Sequence, residues 1–263
     1  VKLHVARSAS DPEQVITADF VIKSGQASDG TSVVQIAVSN GSVKLEAAGT
    51  TFLTINNVQG ALLVNIAGLA GTVSGALTSQ IADFALAALS ARVDVNTGAA
   101  TVDQTFTVGS DTIHLQMPGG PYVRIVVLGG AAVVSSAQIT GDFSFTQSKR
   151  ISDNATLTQL AAKNVSVTLG GQGMSNGQGA FLITSTGVAG AMSGEAAIDT
   201  AGVTVGGTLG LQVNTTGATV DETVSIDGQT FHIVFTTADD VFQFVGEGVV
   251  FKVGDFLTVE GTV

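Results

Sequence analysis

The sequence predicts an all-β protein: two tandem repeats of about 120 residues, antiparallel hairpins stacked into an elongated β-sandwich or barrel-like rod. Three observations predict it. Apolar and polar residues alternate with period two along most segments, the mark of strands with one buried face. Short turn signals rich in Gly, Asn and Asp separate those segments. The chain also repeats itself at a fixed interval.

Gln59 opens QGALLVNIAGLAGTVSG and Gln178 opens QGAFLITSTGVAGAMSG, about 120 residues later. Val93 onward (VDVNTGAATVDQTFTVGSDTIHL) matches Leu211 onward (LQVNTTGATVDETVSIDGQTFHI). QIAVSNGSVKL at Gln35 matches QLAAKNVSVTL at Gln159, and ITADFVI at Ile16 matches ITGDFSF at Ile139. Residues 1–129 are read as a first repeat, 130–248 as a second and 249–263 as the start of a third. VKLHV at Val1 lines up with Val249–Val253, and LTVEGTV at Leu257 resembles the Ile16 and Ile139 segments again. Beginning and ending at one phase of its repeat, with neither initiator methionine nor signal peptide, the chain is expected to be a processed product or a window on something longer. An array cut in mid-repeat exposes strand edges that more chain or another subunit must cover.

Along the chain, Ser42–Glu46, Thr51–Asn56 and Thr223–Ile226 alternate cleanly, and Thr, Val and Ile suit half-buried pleats. Ser39-Asn40-Gly41 signals a turn; Asp227-Gly228 signals a hairpin, with Gly109-Ser110-Asp111 in its place in the first copy. Ile81–Arg92 is Ala- and Leu-rich and looks helical. Its partner, Ala201–Gln212, contains Gly206-Gly207, and each interior glycine costs a helix about 1 kcal/mol. Equivalent positions share a structure, so both are predicted as strands. One hairpin pattern recurs at Gly60, Gly130, Gly179 and Gly248, giving about eight strands per period. A β-solenoid is the alternative, and needs rungs every 20 to 30 or so residues. The paired Gly71/Gly75 and Gly190/Gly194 mark either tight packing or mere tolerance of small neighbours.

Composition narrows the class. With 44 % hydrophobic and 12 % charged residues the chain is the reverse of a disordered one. Glycine is abundant, at 33 residues, but lacks the period of three that collagen needs. No cysteine is present, which removes disulfides and thiolate-held metals and gives weak support to secretion. The net charge of −11, with Lys149-Arg150 the one adjacent basic pair, argues against nucleic acid and anionic membrane surfaces. No apolar run reaches the roughly 20 residues of a spanning helix, and a single tyrosine, Tyr122, cannot build the aromatic girdles of a membrane barrel.

Candidate chemistry is sparse. His114 and His232 occupy one repeat position, and His4 aligns with Lys252, so all three read as exposed strand residues. Gly173-Met174-Ser175-Asn176-Gly177 matches the nucleophile-elbow pattern but lacks the following helix. No phosphate loop occurs. Asp19/Asp142 and Asp103/Asp221 are matched across copies and read as solvated strand-edge carboxylates, while Asp239-Asp240 has no counterpart. Calcium, bound by carboxylates and carbonyls, is the one structural cofactor worth naming, yet no calcium-loop motif is present and none is assigned. Asn40, Asn154, Asn164 and Asn214 head glycosylation sequons.

At GDFSF, SNGSVKL, QGAFLITS and VNTTGATVDETV the chain resembles the Gly-, Thr- and Val-rich β-repeat arrays of very large secreted or surface-exposed bacterial proteins. The resemblance covers essentially the whole chain and implies an extracellular or cell-surface structural or adhesive role. It carries no catalytic residue, and no enzymatic activity is expected. The expected role is a structural repeat module of a fibre or giant surface protein, joined to copies of itself or to adjoining repeats by strand pairing. The joining edges are Val1, Lys2, Leu3, His4 and Val5 at one end and Leu257, Thr258, Val259, Glu260, Gly261, Thr262 and Val263 at the other. The rival is an adhesin module that binds carbohydrate or another cell surface through Phe242, Phe244 and Tyr122.

Overall fold

A computed structural model describes residues 2–5, 14–26, 30–47, 50–81, 84–108, 111–134, 137–149, 156–226, 228–255 and 257–262. It is all-β, with no helix among the described residues. The strands are β1 (Lys2–Val5), β2 (Gln14–Gln26), β3 (Ser32–Ala47), β4 (Thr50–Asn65), β5 (Gly68–Ile81), β6 (Phe84–Asn96), β7 (Val102–Val108), β8 (Asp111–Met117) and β9 (Tyr122–Val134). They continue as β10 (Ala137–Lys149), β11 (Thr156–Leu169), β12 (Gln172–Ile183), β13 (Val188–Thr200), β14 (Val203–Asn214), β15 (Val220–Ile226), β16 (Gln229–Phe235), β17 (Val241–Val253) and β18 (Leu257–Gly261). Within the helical-looking stretch, Ile81 ends β5 and residues 84–92 belong to strand β6, matching β14. The turn residues Gly109, Ser110 and Asp227 lie outside the described residues.

The long strands form a 14-stranded antiparallel sheet in the order β1 to β6, β9 to β14, β17, β18. Pairing is antiparallel in each described ladder, so the parallel rungs of a solenoid do not form. The short pairs β7–β8 and β15–β16 stand apart as two-stranded sheets. Two compact units divide the chain, Val1–Val127 and Leu128–Val263.

In the first unit, β7–β8 covers one face of the sheet. Leu115 and Met117 meet Val33, Ala61, Leu63, Ala70 and Tyr122 in a buried cluster. The second unit builds the same core with Val224, Ile226 and Ile233 over Leu157, Ala161, Ala180 and Leu182. Small residues under the hairpin are what let two β-layers approach.

The crossing from sheet to hairpin is fastened by a buried asparagine. Asn96, 1 % exposed, donates through Nδ2 to the carbonyls of Ala100 and Pro118 at 2.9 and 2.8 Å and accepts from Gly98 N. Asn214, fully buried, donates to Ala218 O at 3.1 Å and accepts from the backbone and hydroxyl of Thr216. The next residue ties the turn back to the sheet: Thr97 Oγ1 accepts from Leu69 N at 2.9 Å, and Thr215 Oγ1 from Val188 N at 3.1 Å. These side chains satisfy backbone groups that leave the ladder at the turn.

The glycine pairs pack tightly. A Cβ on Gly71 would lie 2.5 Å from Leu62 Cδ2, and one on Gly190 would lie 2.5 Å from Phe181 Cδ1. Gly75 and Gly194 are likewise confined, by Ile55 and Met174. Each glycine opens room for the bulky side chain of the neighbouring strand.

Candidate assembly edges and apolar sheet faces

At one end, β1 pairs only with β2, from Lys2↔Thr17 to Val5↔Gln14. At the other, β18 pairs only with β17, from Val249↔Gly261 to Val253↔Leu257. Among the described residues no strand lies on the outer edge of either, and none of them pairs with the outward N–H and C=O groups of these two strands. All of β18 is exposed, Leu257 and Val259 included. Thr262 follows the strand as irregular backbone, and Val1 and Val263 lie outside the described residues. The sheet itself indicates what such edges accept. The outer edge of β9 carries β6 and that of β10 carries β11, the latter over a ladder from Ala137↔Leu169 to Lys149↔Thr156.

The sheet face away from the hairpins is the other unusual surface. In the second unit one register row reads Phe145, Leu160, Phe181, Gly190, Val213, Phe242 across six strands. The adjoining row reads Phe143, Ala162, Gly179, Met192, Leu211, Phe244. Neither contains a polar side chain. The first unit repeats the pattern as Ile22, Ile36, Leu62, Gly71, Val95 and as Phe20, Val38, Gly60, Val73, Val93. Alternation alone explains why this face is distinct from the one under the hairpin: Ala180 and Leu182 point one way, Phe181 and Ile183 the other.

Phe242 and Phe244 are 69 % and 71 % exposed and meet edge-to-face, with ring centroids 5.5 Å apart. Tyr122 does not join such a pair. It is 8 % exposed in the core beneath β7–β8, with Arg124 Cζ 5.7 Å from its ring centroid and its hydroxyl without a hydrogen-bond partner. Burial pushes its phenol above the ordinary value of 10, and the Arg124 charge only partly offsets this. Tyr122 starts β9 as Val241 starts β17, one residue before Phe242, and a one-residue offset reverses the face. The expected grouping of Tyr122 with the two phenylalanines is therefore corrected.

The remaining candidates fall into place. His114 Nε2 lies 2.7 Å from Asp103 Oδ1 on an exposed strand pair, and His232 is exposed on the matching strand. For His4 the backbone pairing with Val15 is described. Asp19 and Asp142 are more than solvated carboxylates. Each sits at a register shift and accepts from an asparagine held at positive φ: Asn40 to Asp19 at 3.0 Å, Asn164 to Asp142 at 2.9 Å. Gly173–Gly177 lies inside strand β12, with Asn176 at φ 52°, and leads into no helix. Asp239 and Asp240 are exposed just before β17, and Asn154 lies outside the described residues. No group of three or more His, Asp or Glu side chains is gathered to hold a metal among the described residues.

One cluster had no precedent in the sequence reading. Asp94, 4 % exposed, accepts from Thr72 Oγ1 at 2.7 Å, from Arg92 Nε at 3.2 Å, and from Arg124 Nε and Nη2 at 3.0 and 2.8 Å. The second unit places Gln212 opposite Gln243 at the equivalent register. The signal was present in the alternating Arg92-x-Asp94 of β6 and in Arg124 of β9.

Comparison with family models, curated proteins and solved structures gave no match to this chain.

Proposed function

We propose that this chain is a structural repeat module that assembles end to end by β-strand pairing, at the cell surface or outside the cell of a bacterium, and that it has no enzymatic activity. The observation that supports the reading is the pair of edges on β1 and β18 that no described strand fills, whereas their counterparts β9 and β10 are both filled inside the sheet. An incoming strand pairs its backbone with such an edge and gains affinity from the ladder. The outer edge of β18 suits a strand like β11, and that of β1 suits a strand like β6 or β14. The bacterial surface location follows from the sequence resemblance. Deleting residues 1–5 or 257–263 is expected to abolish polymers while far-UV circular dichroism keeps its strand signature. Polymers that persist in both deletions refute the proposal.

A second reading rests on the exposed Phe242–Phe244 pair, which has the form of an adhesin contact for carbohydrate or another cell surface. Glycan-array binding that disappears in Phe242→Ala supports it; an array with no signal for the unaltered chain refutes it.

A further inference from the structure

We infer that the cleft between β8 and the Arg92–Asp94–Arg124 cluster is a docking site for an extended acidic peptide segment, which adds to the edge of β8 and sets a carboxylate on the two arginines. This site is separate from end-to-end pairing through β1 and β18. Thr72, Asp94 and Arg124 lie on the neighbouring strands β5, β6 and β9, with Thr72 opposite Asp94. Arg92 stands two residues before Asp94 on β6 and so shares its face. Two guanidiniums share this one buried carboxylate, which leaves the cluster one positive charge in excess. Asp94 engages Arg92 through Nε and Arg124 through Nε and Nη2. Each guanidinium carries further N–H donors in its fork, and the two side chains, 38 % and 29 % exposed, line the cleft with them. The fold itself does not need these charges. The second unit has Gly210, Gln212 and Gln243 at the equivalent positions and packs its hairpin without them, sparing the cost of desolvating ions.

The other wall of the cleft is a strand edge. His114, Leu115, Gln116 and Met117 line it together. Successive strand residues point to opposite faces, so four in a row border a cleft only along the edge. One edge of β8 is taken by β7, from Val102↔Met117 to Val108↔Asp111, and no described strand pairs with the other. Such an edge accepts an extended segment through backbone hydrogen bonds, while a side-chain pocket supplies specificity. Charge selects the occupant. One excess positive charge matches one carboxylate, and an arginine fork binds carboxylate in two-pronged fashion. Asp103 does not compete, because it is engaged by His114 at 2.7 Å and is not among the lining residues. The net charge of −11 opposes acidic ligands only from afar, since salt at physiological strength screens it beyond about 8 Å. The cleft holds about 260 Å3, less than the roughly 300–1,000 Å3 of small-molecule pockets, and so suits one side chain with its adjoining backbone.

The test is fluorescence anisotropy of the full chain with a short, capped, labelled Thr-Val peptide that carries one central glutamate, and with its glutamine twin. The glutamate peptide is expected to bind, more weakly as salt rises, and the twin to bind at least about tenfold more weakly. N-methylation at alternate residues is expected to cost as much in one phase, whose amides face β8, and little in the other. Arg92→Gln, which leaves the Asp94–Arg124 pair balanced, is expected to abolish the preference for glutamate with circular dichroism unchanged. So is the joint replacement Arg92→Gly, Asp94→Gln and Arg124→Gln, which installs the residues of the second unit. A glutamate peptide that fails to bind, or binds no better than its twin, overturns the inference. One that binds both variants as well as the unaltered chain also overturns it, because it then sits on another edge such as that of β1 or β18. Free glucuronate that displaces the peptide at equal concentration overturns it too, and makes an acidic sugar the occupant.

Discussion

Asn164 donates through Nδ2 to Asp142 Oδ2 at 2.9 Å, and Asn164 itself stands at φ 55°. The two residues straddle the register shift between β10 and β11, so the bond fixes where the extra residue falls. Asp142 Oδ1 also accepts from Gly129 N at 2.8 Å, coupling the shift to β9. Asn164→Ala therefore loses a side-chain bond and forces a left-handed backbone on a residue that resists it. A loss of about 1–3 kcal/mol is expected from denaturant midpoints. Asn164→Gly, which relieves the backbone, is expected to recover part of that.

The crossing asparagines give a larger effect. Asn214→Ala leaves the carbonyl of Ala218 and the groups of Thr216 without their partner in a site closed to water. About 2–4 kcal/mol is expected, the sum of an orphaned polar group and a small void. Urea unfolding followed by circular dichroism measures it; a cost below 1 kcal/mol means that water reaches the site.

Glycine 190 distinguishes close packing from indifference. Gly190→Ala drives a methyl group against Phe181 and the carbonyl of Ala180, and about 1–3 kcal/mol is the expected penalty. Gly206→Ala is the control, since its nearest neighbour would be 3.9 Å away. Equal melting temperatures for the two variants contradict the packing account.

Tyr122 reports on its own burial. It is the only tyrosine and the chain has no tryptophan, so absorbance at alkaline pH follows a single phenol. Its midpoint is expected above 10 in the folded chain, because burial raises it. The folded state then holds the proton more tightly than the unfolded one. Stability from this group is complete below the unfolded value near 10 and is lost as pH rises through the folded value. Tyr122→Phe removes that alkaline loss and, by removing a hydroxyl without a partner, is expected to add about 1 kcal/mol at neutral pH.

The Asp94 cluster is expected to behave as a set. Asp94→Asn alone leaves Arg92 and Arg124 facing each other and destabilises, by about 1–3 kcal/mol. Replacing Arg92, Asp94 and Arg124 together by the Gly, Gln and Gln of the second unit restores most of the loss. A thermal melt of the single and triple variants decides it.

Strand class and antiparallel pairing were legible because alternation and turn signals act locally. Even β6 could be assigned, since the glycines of its partner β14 forbid a helix. The placement of β7–β8 and β15–β16 was not legible. Thr105-Phe106-Thr107 alternates like any strand of the sheet, and nothing local says whether a hairpin extends a sheet or lies on it. The decisive residues, Asn96 and Asn214, were visible in the repeated VNT but carried the look of a turn or a sequon. Tyr122 was misplaced because a side-chain face inverts with every residue, so proximity in an alignment is too coarse. The paired apolar rows depend on register across six strands, which no single segment contains.

The order of the ladders also governs how the chain folds. From β2 to β6, and from β10 to β14, each long strand pairs with the one that follows it. Loop closure is cheap for such neighbours, so each ladder can form as soon as its second strand is free. The exceptions are β6 with β9 and β14 with β17, which must wait for the intervening hairpin to turn over the sheet. Those closures are where refolding is expected to slow, and a chain threaded out of a narrow exit, N-terminus first, would acquire its structure in instalments, pausing once in each unit.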